Sequence, residues 1–247
     1  MPWLCFLLVN TTVVQGAPPL PGAGAKPLRF DVAALAETRD SFVFRVRGEE
    51  RGWAVWQYEH RTDVIVFTAV SELRPAETES LRVTLNRRTG APLASFHRIE
   101  FFAPGSDTTL VEHDLGVQGG AVVGRRRVRT RDGAVHVIPV KVRLPTGAVW
   151  SDYGLLAAPV ANAVPGDSLV APAYSEFGDS LATLTLVAEA PDTVAVPAGR
   201  FGTVPLRGVG FRVYVTRSEP RRVVRGESLD HLFDFELAGT GPVVRSP

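Results

Sequence analysis

The stretch Ser41-Phe42-Val43-Phe44-Arg45-Val46-Arg47-Gly48-Glu49-Glu50-Arg51-Gly52-Trp53-Ala54-Val55-Trp56-Gln57-Tyr58-Glu59-His60 decides the fold class. Phe42, Phe44 and Val46 fall on one side of an extended chain, with Val43, Arg45 and Arg47 on the other. That period of two belongs to a strand with one buried face, not to a helix. The cluster Gly48 to Gly52 then turns the chain into a second extended run at 53–60, so the segment reads as a hairpin.

The same grammar recurs along the chain. Val64-Ile65-Val66-Phe67 reads as a buried strand, and Leu81, Val83 and Leu85 alternate before an Arg87-Arg88-Thr89-Gly90 turn into 91–102. Further strands are expected near 121–130, 134–144, 168–174, 181–190, 201–207, 211–217 and 232–237. Turn residues interrupt at about eight to twelve residues, the spacing of antiparallel all-β domains. About a dozen strands are too many for one flat sheet. The expected fold is therefore all-β: a strongly curved antiparallel sheet, or a barrel-like or two-sheet architecture, with one or two short helices at 32–37 and 153–163.

A chain of 247 residues, 45% hydrophobic and 21% charged, can bury one sizeable core. No shift in composition divides 41–238, which is expected to be a single domain. Ahead of it lie an apolar run, Trp3 to Val9, with small residues at Gly16 and Ala17, and then a Pro/Gly/Ala-rich stretch. These read as a signal peptide at 1–16, lacking the usual basic start, and a flexible segment at 17–40. Residues 239–247 read as a tail. With 27 basic and 26 acidic side chains the net charge is +1, which argues against a nucleic-acid partner. The single cysteine, Cys5, excludes a disulfide framework and a thiolate zinc site. An integral outer-membrane barrel is disfavoured, because Arg and Glu break the lipid-facing alternation and the chain ends Val243-Val244-Arg245-Ser246-Pro247 without a terminal aromatic.

Gly166-Asp167-Ser168-Leu169 and Gly178-Asp179-Ser180-Leu181 resemble the nucleophile block of GDSL esterases and lipases. The resemblance is local. Asp230-His231 lacks that family's Asp-x-x-His spacing, and Gly226-Glu227-Ser228-Leu229 is a third near-copy, which suits a turn followed by the start of a strand. An ester hydrolase using Ser168 or Ser180 is thus the least favoured reading. Glu112-His113-Asp114 is the densest group of potential metal ligands, yet in an extended chain His113 faces away from both acids, so the segment reads as an exposed loop and no metal is expected. His136 shares a largely apolar face with Ile138, Val140, Val142 and Leu144, as a core histidine or a polar point inside a cavity. Arg125, Arg127, Arg129 and Arg131 fall on one strand face, which could bind phosphate or lipopolysaccharide but is more often a solvated row paired with acids on its neighbour.

The run Val196-Pro197-Ala198-Gly199-Arg200-Phe201 fits a hairpin with positive φ at Gly199. Followed by Val213-Tyr214-Val215-Thr216 and Glu219-Pro220-Arg221-Arg222-Val223-Val224-Arg225, and preceded by Gly124-Arg125, Leu155-Leu156 and Pro165-Gly166-Asp167, it resembles the bacterial domain of unknown function 3108 family over 42–225. That resemblance implies a secreted or periplasmic, β-rich envelope protein with no established enzymatic activity; no cofactor is expected. The expected function is a non-catalytic envelope protein that binds a lipid or other apolar small molecule in the concave sheet, at Phe42, Phe44, Trp56, Tyr58 and His136. The alternative is a structural scaffold that binds an envelope protein partner.

Overall fold

The computed structural model describes residues 24–103, 105–150, 163–176 and 179–245. They form seventeen strands and, among the described residues, no helix. In chain order these are β1 (Lys26–Pro27), β2 (Arg39–Val46), β3 (Glu49–His60), β4 (Val64–Leu73), β5 (Glu77–Asn86) and β6 (Pro92–Phe101). Next come β7 (Thr108–Gln118), β8 (Ala121–Thr130), β9 (Val135–Arg143), β10 (Val149–Trp150), β11 (Ser168–Ser175) and β12 (Ser180–Ala188). The last are β13 (Asp192–Val196), β14 (Gly199–Arg207), β15 (Phe211–Thr216), β16 (Val223–Ser228) and β17 (Phe233–Gly241).

All belong to one open sheet, in the order β1-β10-β11 through β17, then β2 through β9. The chain thus starts its long meander in mid-sheet: β2 pairs with β17, and successive hairpins extend both ways from that seam. β1 and β10 run parallel to β11 and share its outer edge, while every other pairing is antiparallel. The sheet curls on itself, because Glu176 at the end of β11 touches Ser95 and His97 of β6, far away in strand order.

The decisive hairpin is present, and its turn is tighter than the sequence suggests. Arg47 and Gly48, both at positive φ, make the whole connection, and Glu49 already pairs with Val46. The surplus residue is absorbed by a bulge, where Phe44 faces Gly52 and Arg45 faces Glu50. Gly52 is required there: a Cβ would stand 2.0 Å from the Glu72 carbonyl oxygen. The concave face of β2, β3 and β17 carries an aromatic cluster. Phe42 lies 4.4 Å from Trp56 and 5.5 Å from Phe235, ring centre to ring centre, and Tyr58 lies 4.9 Å from Phe67. Burying each such ring contributes about 2–3 kcal/mol from area alone, so this cluster anchors the mid-sheet seam.

Several expectations change. The helix expected at 32–37 is instead a turn and a bridge, in which the Ala36 amide donates to the Arg221 carbonyl and the Arg221 amide to the Ala34 carbonyl. Those strand-like bonds take the backbone groups a helix would use. The second, at 153–163, lies outside the described residues apart from Ala163, which is not helical, as does the proposed signal peptide. Within the segment read as flexible, β1 pairs with β11, and Leu28, Ala34 and Leu35 are buried. Nor do 239–241 hang free, since Gly239, Thr240 and Gly241 pair with Ser41, Asp40 and Arg39, and Val244 is held by both ends of the Gln57 amide.

The open edge at β9 is guarded. Thr130 N–H donates to Ala134 O and Leu144 N–H to Gly120 O, so even-numbered residues of β9 point their backbone groups at β8 and odd-numbered ones point outward. Pro139 and Lys141 occupy outward positions. A proline has no N–H to offer there and a lysine resists a neighbouring strand, which blocks edge-to-edge pairing.

Candidate functional site

Register builds two distinct places from these strands. Across the concave face, Leu81, His97, His113, Arg126 and Ile138 lie side by side on β5 through β9, and Ser95 lies one repeat along β6 from His97. The end of β11 closes over this row. The Glu176 carboxylate accepts from Ser95 Oγ and bonds His97 Nδ1 at 3.0 Å, and Glu79 takes His97 Nε2 at 2.6 Å while accepting from Ser71 Oγ at 3.1 Å. His97 is 4% exposed. Burial alone would discharge its ring, but the hydrogen bonds and charges of Glu176 and Glu79 outweigh it and hold the imidazolium up to about 10. Burial likewise works against the Glu176 carboxylate, and His97 with Ser95 pulls it below the usual range.

His113, 6.5 Å from His97 between ring centres, behaves in the opposite way. Burial, with the positive His97 and Arg126 adding to it against Glu176 and Asp179, pushes it down to about 4, so it is neutral. Tyr174 donates to Asp179 at 2.6 Å, and burial followed by that bond raises its phenol well above the ordinary value. The arrangement is a polar clasp that fastens the β11–β12 tip across the concave face. Its carboxylates and imidazolium satisfy one another, as buried charges must.

The second place is an open-mouthed pocket of about 520 Å³ at the end of the sheet where the β2–β3, β4–β5 and β16–β17 turns meet. Val46, Leu73, Pro75, Ala76 and Leu232 line it with apolar surface, and Arg47, Arg51, Arg74 and Glu49 form its rim. Backbone bonds fix the turns to one another: Arg47 N–H to Leu232 O at 2.8 Å, and Arg74 N–H to Arg51 O at 2.7 Å. Arg51 pairs with Glu49 and Arg74 with Glu72. Arg47 makes no ion pair with a described residue, so the rim keeps an uncommitted cation above an apolar floor. The volume lies within the range of about 300–1,000 Å³ usual for small-molecule sites.

Of the five residues expected to bind ligand, four are brought together and His136 lies apart. Phe42, Phe44, Trp56 and Tyr58 are sealed in the aromatic cluster, with Phe44 one repeat along β2 from the pocket's Val46. His136 is exposed on β9 opposite Val128, neither a core residue nor a cavity point, because β9 runs beyond whatever covers its inner face. Glu112-His113-Asp114 lies in β7, not in a loop, and alternation does separate the buried imidazole from the two outward acids. Among the described residues no group of three or more His, Cys, Asp or Glu could hold a metal ion. Ser168 opens β11 and Ser180 opens β12, and no described histidine hydrogen-bonds to either. Ser228 closes a turn, donating to Asp230 at 2.5 Å and accepting from the Phe233 amide. No helix among the described residues is long and apolar enough to cross a membrane.

The clasp and the pocket both escaped the sequence reading. His97 sits in no motif, and its partners come from 18 and 79 residues away. The pocket's lining comes from three turns, of which only the Arg47–Gly52 segment carried a visible signal.

No family profile matches the sequence, and no curated protein matches it significantly. Among solved structures, the fold is similar to a β-barrel-like protein of the domain of unknown function DUF1849 from Brucella abortus, at a TM-score of 0.50 and 11% identity, covering 85% of this chain and 99% of that one. A protein with a YmcC-like fold from Bacteroides fragilis is more distant, at a TM-score of 0.31 and 10% identity over 87% of this chain and 100% of that one. At this identity the likeness to the Brucella abortus protein speaks to a shared β-barrel-like fold and to nothing further.

Proposed function

We propose that the protein is a non-catalytic component of the bacterial envelope that binds a single-chain anionic amphiphile in the pocket at the turn end of its sheet. The tail lies on Val46, Leu73, Pro75, Ala76 and Leu232, and the acidic head meets Arg47. The observation that carries this reading is the combination of an apolar floor with an arginine rim. Burying a tail of about ten methylenes gains several kcal/mol at ~0.8 kcal/mol each, and the rim orients the head. Export is supported by the apolar run Trp3 to Val9 with Gly16 and Ala17 behind it, and by the resemblance to secreted β-rich envelope proteins.

A second reading, a scaffold for a partner protein, is favoured by the filled aromatic interior and the clasp. One experiment separates the two. The chain is exported behind a competent leader and purified without detergent, then weighed by native mass spectrometry before and after solvent extraction. An extractable adduct of lipid mass that is lost in Leu232→Glu supports the amphiphile site. A clean apo mass in both proteins supports the scaffold.

A further inference from the structure

The β8–β9 hairpin concentrates positive charge on a surface that is exposed among the described residues. On its outer face Arg125, Arg127 and Arg129 of β8 stand beside Lys141 and Arg143 of β9. The neighbouring strand β7 offers two acids to this face. Asp114 lies 3.5 Å from Arg125, and Glu112, although opposite Arg127 in register, is bound by Arg98 at 3.3 Å. Among the described residues no carboxylate lies within ion-pair distance of Arg127, Arg129, Lys141 or Arg143. The acid-paired arginine row expected from sequence is therefore paired at one position only.

From Val135 to Pro139 both faces of β9 are exposed. Val137 is 59% exposed, Val135 46% and Ile138 36%. Apolar side chains so placed are disfavoured in water, and four uncompensated cations beside them repel one another. The outward positions of Pro139 and Lys141 argue against a strand from another chain as the missing cover.

We propose that this hairpin docks on an anionic phospholipid surface, with its cations at the phosphates and Val135 and Val137 at the acyl boundary. Its tip lies at the same end of the sheet as the pocket, since the β2–β3, β4–β5, β6–β7 and β8–β9 turns follow one another along an antiparallel meander. Docking thus turns the pocket mouth toward a source of amphiphiles, although the docking surface itself does not rest on the pocket being occupied.

The test is flotation with vesicles of phosphatidylcholine alone and of phosphatidylcholine with phosphatidylglycerol, at low and high salt. The protein is expected to float only with the anionic vesicles and to be released by salt. Each lysine or arginine near an anionic surface contributes about fivefold to partitioning, so Arg127→Gln with Arg129→Gln lowers it about thirtyfold. Val137→Ser weakens it further, with the thermal midpoint of every variant unchanged because the side chains are exposed. Leu232→Glu, which disables the pocket, leaves flotation intact and so separates the two proposals. Absent flotation, equal partitioning onto neutral vesicles, unchanged binding in the double variant, or retention on single-stranded RNA in place of vesicles overturns the assignment.

Discussion

Replacing Glu176 by leucine tests whether the β11–β12 tip is fastened to β6 as described. In the native fold this carboxylate takes Ser95 Oγ and His97 Nδ1, and the latter is an imidazolium held between two acids in a buried site. Among the described residues, Glu176→Leu leaves that cation one acid, Glu79, and strips Ser95 of its acceptor. Removing one partner of a buried ion pair costs about 3–5 kcal/mol, far more than an intact pair contributes net. At roughly 2–4 °C per kcal/mol for a domain of this size, the midpoint should fall by about 6–20 °C. Urea unfolding at neutral pH, read by tryptophan fluorescence, is a suitable assay because Trp150 packs on Tyr174, with ring centres 5.6 Å apart, close to the break. Adding His97→Leu removes the stranded cation, so the double variant should be less destabilised than the sum of the singles, by more than about 1 kcal/mol. Glu72→Gln, which touches only the exposed Arg74 and Trp53, should stay within about 0.5 kcal/mol of the parent. A single-variant loss below about 1 kcal/mol, or strict additivity, would refute the clasp.

Acid should weaken the fold through His113. Its folded value is about 4 against 6.5 in the unfolded chain, so between these limits only the unfolded state takes up the proton, and stability falls with pH by up to about 3 kcal/mol. His113→Phe should flatten that part of the profile, and a ring titrating by NMR near its ordinary value would contradict it. His97, raised to about 10, stabilises fully below pH 6.5 and loses that contribution as pH climbs through 10, so alkaline unfolding should begin earlier than its tyrosines alone would cause. Gly52→Ala should cost about 2 kcal/mol or more in urea, because its Cβ meets the Glu72 carbonyl and backbone must move; a neutral substitution would show that the bulge is loose. Arg47→Gln should weaken binding of a long-chain fatty acid about tenfold in fluorescence displacement with the fold unchanged, and an unchanged affinity would remove the head-group role.

The sheet was largely legible because alternation is a local signal. Phe42, Phe44 and Val46 do share the concave side, and β8 spans 121–130 as its pattern indicates. What failed was non-local. The helix-favouring run Val32-Ala33-Ala34-Leu35-Ala36-Glu37 gives way to pairing with Arg221, nearly two hundred residues on. His136 was placed on the correct strand face, but no sequence pattern tells where the cover over that face ends. Alternation also put His113 opposite its acidic neighbours, yet no local pattern shows the burial that keeps it neutral, and Glu176, one of the two acids that keep His97 charged, arrives from the far end of the sheet. The pocket follows the same logic: apolar residues at turns look incidental until three turns converge.

The central claim is that an amphiphile enters between those turns. Cross-linking of the purified protein by a diazirine-bearing fatty acid, with the labelled peptides identified by mass spectrometry, tests this most directly. The account predicts label on 46–51, 73–76 and at Leu232, competed by unlabelled fatty acid and lost in Leu232→Glu. Label confined to the exposed 135–139 strand, or scattered without competition, would contradict it.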